Sequence, residues 1–147
     1  MKEYKVSYET VGFLVDSLLS QLESKDLKFN YVVGIGRGGL IPATLIGYRL
    51  DLPVLNFGMS TYNDQQQLEN VNIYQDIDFT KLKPDSNILV VDDICDTGNT
   101  FTVFSKLHKP TVKNYIYVSL FAKKRSALNV HFYGSIASDS KWVSFPW

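Results

Sequence analysis

Cysteine is almost absent. Cys95 is the only one in 147 residues, which excludes an intrachain disulfide and a cysteine-built zinc site and fits a reducing compartment. Net charge is absent too, since fifteen Lys and Arg balance fifteen Asp and Glu. No global field therefore draws the chain to nucleic acid or to a membrane surface, although a few backbone amides and one Arg can still build a local anion site. Long hydrophobic runs are missing: Met1 to Thr10 has no apolar segment of the signal-peptide kind, and no later run approaches the ~18 residues of a membrane span. Repeats, low-complexity tracts and linker-like shifts in composition are also lacking. What remains is 45% hydrophobic and 20% charged, the balance of a soluble globular protein with enough chain for a core. The expectation is one soluble, cytoplasmic domain over residues 1–147.

Hydrophobic spacing divides the chain. Val11, Leu14, Val15, Leu18, Leu19 and Leu22 fall at helical intervals, with Ser7 placed to cap them. Tyr31 to Ile35 is a short apolar run that ends in Gly36-Arg37-Gly38-Gly39. Leu40 to Leu50 resumes helical spacing, and Pro42 is tolerable there because it falls in the first turn. Strands are expected at Pro53–Phe57, Ile88–Val91, Tyr115–Ala122 and Val130–Tyr133, with a helix from about Asn99 to Leu107. Strands apolar on both faces, alternating with helices, define an α/β fold around a mostly parallel sheet. Ligands bind such sheets beyond the carboxyl ends of the strands, where both glycine-containing loops lie. The stretch from Met59 to Lys83 is rich in Asn, Asp and Gln and long for a connection; we read it as a mobile functional loop rather than a small β excursion.

Residues 88–100 carry the chemistry. Four apolar residues deliver the chain to Asp92-Asp93-Ile94-Cys95-Asp96-Thr97-Gly98-Asn99-Thr100. Three carboxylates so close together repel one another unless a cation or hydroxyl groups partner them. The glycine, hydroxyls and amide that follow enter a helix, which supplies converging N–H groups and a positive dipole end for a phosphate. Acidic groups beside an anion cradle suit a ligand that has both ribose and phosphate.

Ile88 to Thr100 resembles the signature of the type I phosphoribosyltransferases: a hydrophobic strand, two acidic residues, then Asp-Thr-Gly-x-Thr. Within that family the chain is most similar to the short bacterial-type enzymes acting on xanthine, guanine or hypoxanthine. The likeness extends to Gly36-Arg37-Gly38-Gly39-Leu40-Ile41-Pro42, Ser60-Thr61-Tyr62-Asn63-Asp64, Phe121-Ala122-Lys123, and Lys141-Trp142-Val143 with Pro146-Trp147. It implies a three-layer fold with a small hood built from the C- and N-terminal regions, a flexible loop over about 59–83, and a hood over about 134–147. It implies transfer of phosphoribose from phosphoribosyl pyrophosphate (PRPP) to a purine, with Mg²⁺, in a homodimer or homotetramer. Asp92 and Asp93 would hold the ribose hydroxyls, directly or through Mg²⁺. Asp96 would manage the proton at purine N7, beside a 5′-phosphate cradle of Asp96, Thr97, Gly98, Asn99 and Thr100. Gly36, Arg37, Gly38 and Gly39 would take the pyrophosphate, and Ser60, Thr61 and Tyr62 would begin the flexible loop. Lys123 would donate to a 6-oxo group, Trp142 would stack on the base, and the backbone near Trp142 and Val143 would face position 2 of the ring.

Other readings of the same residues set the comparison. Lys123-Lys124-Arg125, taken alone, reads as a solvated turn, Trp142 as core cover and Cys95 as packing; His108 and His131 receive no role. The hood looks abbreviated, so its contacts would be missing or supplied by another subunit. Gly34-Ile35-Gly36-Arg37-Gly38-Gly39 also satisfies the dinucleotide fingerprint G-x-G-x-x-G, but Asn56 and Phe57 stand where that fold wants an acidic residue for the adenosine ribose. A sensor that binds PRPP without catalysis, or a transferase for a pyrimidine or other base, is the remaining alternative.

Overall fold

The computed structural model describes residues 2–61, 71–108 and 114–147. Eight strands and three helices follow in the order β1 (Lys2–Lys5), α1 (Tyr8–Ser24), β2 (Tyr31–Gly36), α2 (Leu40–Leu50), β3 (Val54–Thr61), β4 (Val71–Gln75), β5 (Asn87–Cys95), α3 (Asn99–His108), β6 (Asn114–Lys123), β7 (Phe132–Ala137) and β8 (Lys141–Ser144). Six strands form the main sheet in the order β4-β3-β2-β5-β6-β7, parallel except for the β3–β4 pair.

Strand side chains alternate between faces, and that alternation builds three layers. Val32, Leu89, Val91, Val118 and Leu120 face α1 and α2. Val33, Val90 and Tyr117 face α3, with Phe101 and Phe104. Burial on both faces explains why β2 and β5 read as continuous apolar runs. Helix α1 starts where its spacing indicates, and the Ser7 side chain accepts from the Thr10 N–H at 3.1 Å. Helix α2 ends at Asp51, which takes the left-handed conformation at φ 54°.

Three expectations are corrected. The stretch from Met59 to Lys83 is not simply a loop: β3 runs on to Thr61, β4 pairs with it antiparallel, and Phe79–Lys81 forms a 3₁₀ turn. Tyr62, Asn63 and Asp64 lie outside the described residues. The hood is smaller than 134–147, because 134–137 belong to β7, and it is built from both chain regions: β8 pairs parallel with β1, Glu3 opposite Trp142 and Tyr4 opposite Val143. The strand expected at Val130–Tyr133 begins two residues later, at Phe132. Among the described residues no helix is long and apolar enough to cross a membrane.

Candidate active site

The order in which the chain adds strands reverses between the parallel neighbours β2 and β5. From β2 the chain passes through α2 to β3 on one side; from β5 it passes through α3 to β6 on the other. Such a switch point opens a crevice at the carboxyl ends of the two central strands. Both loops singled out in the sequence meet there.

The first loop is pressed onto β5. A Cβ on Gly39 would lie 2.5 Å from the Val91 carbonyl oxygen and 2.8 Å from the Asp92 Cα, and one on Gly38 would lie 2.2 Å from Asp93 Oδ2. Only glycine lets the backbone come this close. A Cβ on Gly36 would meet Asn56 Oδ1 at 2.1 Å, so β3 closes the other flank. The Gly36–Arg37 peptide is cis. Arg37 is exposed and forms no ion pair among the described residues.

Strand β5 runs four residues past the apolar stretch, so Asp92 and Asp93 are part of it rather than of a turn. Each carboxylate accepts from the next backbone N–H: Asp93 N to Asp92 Oδ1 at 2.8 Å, and Ile94 N to Asp93 Oδ1 at 2.8 Å. Desolvation pushes the Asp92 carboxyl well above the usual carboxylate range, and the Asp93 charge adds to it. Desolvation raises Asp93 as well. Opposing this, the Trp147 indole N–H favours the Asp93 carboxylate, although Nε1 is buried and completes no hydrogen bond among the described residues. Trp147 of the C-terminal segment and Gly38 of the first loop thus both border Asp93.

The second loop turns through Gly98, whose φ of +85° suits glycine. A Cβ there would also strike Asn129 at 2.6 Å. The Asn129 side chain steadies the turn by donating to the Thr97 carbonyl at 3.1 Å, and Thr97 Oγ1 accepts the Asn99 N–H at 3.3 Å. Helix α3 begins at Asn99, so its first-turn amides have no carbonyl of their own helix. Residues 92–98 with Thr100 and Phe101 line a cavity of about 240 Å³ over this helix end.

Asp96 is not free. Arg125 Nη2 donates to Asp96 Oδ1 at 2.5 Å, and Arg125 Nε reaches the Asp96 carbonyl at 3.4 Å. Lys124 and Arg125 are exposed in a turn, as a solvated triplet would be, but Lys123 is buried and Arg125 engages Asp96. Lys123 is 5% exposed, and its ammonium donates to the main-chain carbonyls of Ser138, at 2.9 Å, and of Lys141. The lysine expected at the base therefore ties the end of β6 to the entry of the hood; an ammonium has a third donor to offer. Trp142 is 63% exposed, whereas the Val143 side chain is buried in the core. Trp142 is thus not core cover, and Val143 has only its backbone to present. Ser60 sits on β3 with its hydroxyl 3.4 Å from that of Tyr74, and Thr61 ends the strand.

Arg125 and Asn129 are the residues that the sequence did not mark. Their signal was topological: both follow β6, the neighbour of β5, in a turn Lys124–Asn129 beside the loop at Gly98.

An α/β crevice at a switch point, with two glycine loops and an acidic pair, has the form of a ligand-binding α/β domain. The chain belongs to the phosphoribosyl transferase domain family, whose model matches residues 7–147. It is 30% identical to a xanthine-guanine phosphoribosyltransferase of Idiomarina loihiensis over 99% of this chain and 87% of that protein. A protein of the same description from Chromohalobacter salexigens is 28% identical, over 99% and 84%. Among solved structures, a purine phosphoribosyltransferase of Pyrococcus horikoshii superposes with a TM-score of 0.83 at 25% identity, covering 100% of this chain and 94% of that one. The Helicobacter pylori xanthine-guanine-hypoxanthine phosphoribosyltransferase does so at 0.80 and 26%, covering 99% and 93%.

Proposed function

We propose that this protein is a purine salvage enzyme that moves the 5-phosphoribosyl group of PRPP to a 6-oxopurine (hypoxanthine, guanine or xanthine) and releases pyrophosphate. The observation that carries the reading is the two-loop layout: two anion-suited loops flank one acidic pair, as a ribose with phosphate at both ends requires. Relatives named for xanthine and guanine support the choice of base.

In this reading the α3 entry, Asp96 to Thr100, takes the 5′-phosphate on backbone amides and hydroxyls. Asp92 and Asp93 take the ribose hydroxyls. Gly36, Gly38 and Gly39 bring backbone within reach of the pyrophosphate, and Arg37 neutralises it as it leaves. A ring nitrogen of the purine bonds to C1′ as the bond from C1′ to the pyrophosphate oxygen breaks with its electron pair. Asp96 handles the proton at N7. The third donor of Lys123 meets the 6-oxo acceptor, where adenine would present a donor of its own. Trp142 offers its exposed face to the base.

No group of three potential ligand side chains for a metal exists among the described residues. Two adjacent carboxylates suit Mg²⁺, which keeps several waters and shares its coordination with substrate phosphates. Asp92 and Asp93 would hold it, and when bound it supplies positive charge against the phosphates. A cytoplasmic homodimer or homotetramer completes the proposal, with Ser60, Thr61 and Tyr62 opening the loop that covers PRPP.

Arg37→Ala tests the layout. Loss of a charge-assisted contact should weaken PRPP and pyrophosphate by about 10- to 100-fold, and leave ribose 5-phosphate nearly unchanged in calorimetric titrations. Equal weakening of all three would remove Arg37 from the leaving-group site.

A further inference from the structure

The turn after β6 delivers a cation to Asp96 by construction. Lys123, just before it, is held by the hood carbonyls. Ser126, just after it, is buried, and its hydroxyl lies 2.7 Å from the Cys95 carbonyl and 3.2 Å from that of Lys123. Arg125 N–H donates to Asp139 Oδ1 at 3.1 Å. The Arg125 backbone is therefore pinned to β5, β6 and the hood, and from this turn its side chain reaches Asp96. There it grips both the carboxylate and the main-chain carbonyl of Asp96.

Stability does not account for this pair. Both side chains are about half exposed, and ion pairs in that setting contribute little to stability. Orientation does account for it. A carboxylate on a short loop samples several rotamers, whereas one bonded at Oδ1 by a fixed guanidinium, whose other nitrogen holds its own carbonyl, is restricted to one. Arginine suits this because its donors form a rigid planar fork.

We propose that Arg125 is the positioning residue for Asp96, holding Oδ1 so that Oδ2 meets the imidazole edge of the incoming purine. This rests on Asp96 as the group that handles the N7 proton. Arg125 makes no contact with substrate in this scheme and acts through Asp96 alone.

The test is a double-mutant cycle of Arg125→Ala and Asp96→Asn, with Arg125→Lys as the conservative variant. Arg125→Ala should lower kcat about 10-fold, the scale of a misplaced catalytic group, with KM for PRPP and the melting temperature unchanged. Arg125→Lys should recover part of the loss. In the Asp96→Asn background Arg125→Ala should cost nothing further, because residues that act as one unit are not additive. Full kcat in Arg125→Ala, while Asp96→Asn loses ~100-fold or more, would overturn the proposal and leave the role of Asp96 standing. The same fold-loss in both backgrounds would also overturn it. An unchanged kcat in Asp96→Asn would remove the reading on which it rests.

Discussion

Gly38 shows how tightly single residues define this site. Its missing side chain leaves 2.2 Å between an ideal Cβ and Asp93 Oδ2, and the obstacle is a rotatable carboxylate rather than backbone. Gly38→Ala should therefore fold with a melting temperature close to wild type and bind PRPP at least about 10-fold more weakly, since small misplacements at a reacting centre are costly. A thermal scan beside a PRPP titration separates the two; lost folding would contradict the account. At this scale the sequence was informative wherever residue type dictates chemistry. Asp92, Asp93, Asp96 and Gly98, singled out for their crowded carboxylates and glycine turn, line one cavity. Arg125 was not singled out, because an arginine in a basic triplet looks like surface until the fold brings it beside Asp96. Lys123 was singled out, yet its two hood carbonyls come from Ser138 and Lys141, a tie that no local pattern encodes.

Helix α3 runs from the loop at Gly98 to the segment just after β4. Its last residue, His108, is buried against the rings of Phe57, Phe79 and Phe104. Asp76, directly after β4, lies 3.1 Å from His108 Nε2 without aligning for a hydrogen bond. Burial pushes the imidazole below its ordinary value of 6.5, and the Asp76 charge only partly offsets this. The folded chain thus takes up the proton at lower pH than the unfolded chain. The stability contributed by neutral His108 is full above the unfolded value and drains away as pH falls below it. His131, lowered by burial in the same direction, adds to the effect. As pH falls from 7.5 to 5, His108→Gln should lose less melting temperature than the wild type; an equal change in the two would contradict the role of His108. The helices were legible because hydrophobic spacing and caps are local, as Ser7 and α1 illustrate. The β4 strand was not: Val71–Gln75 is short and largely exposed, and it is a strand because β3 offers an edge to pair with. The β1–β8 pair depends likewise on contact between regions far apart in the chain.

Across the whole molecule, the switch-point crevice concentrates charge that the fold would do better without. Desolvation and mutual repulsion raise the Asp92 carboxyl well above the ordinary 3.8. The folded state then holds its proton more tightly than the unfolded state. Its contribution is present below the unfolded value and is lost as pH rises through the folded one, so ionisation of Asp92 works against folding. Asp92→Asn should raise the melting temperature at pH 7 and abolish or severely weaken PRPP binding, the trade expected of a functional site. A lower melting temperature would contradict this electrostatic account. The central claim, that the two-loop crevice is a transferase site for 6-oxopurines, is tested most directly by one assay. Protein with PRPP and Mg²⁺ is given hypoxanthine, guanine, xanthine or adenine in turn, and pyrophosphate release is measured. The account predicts release with at least one of the three oxopurines and little with adenine. PRPP binding without release for any of the three would contradict it and make the protein a PRPP sensor.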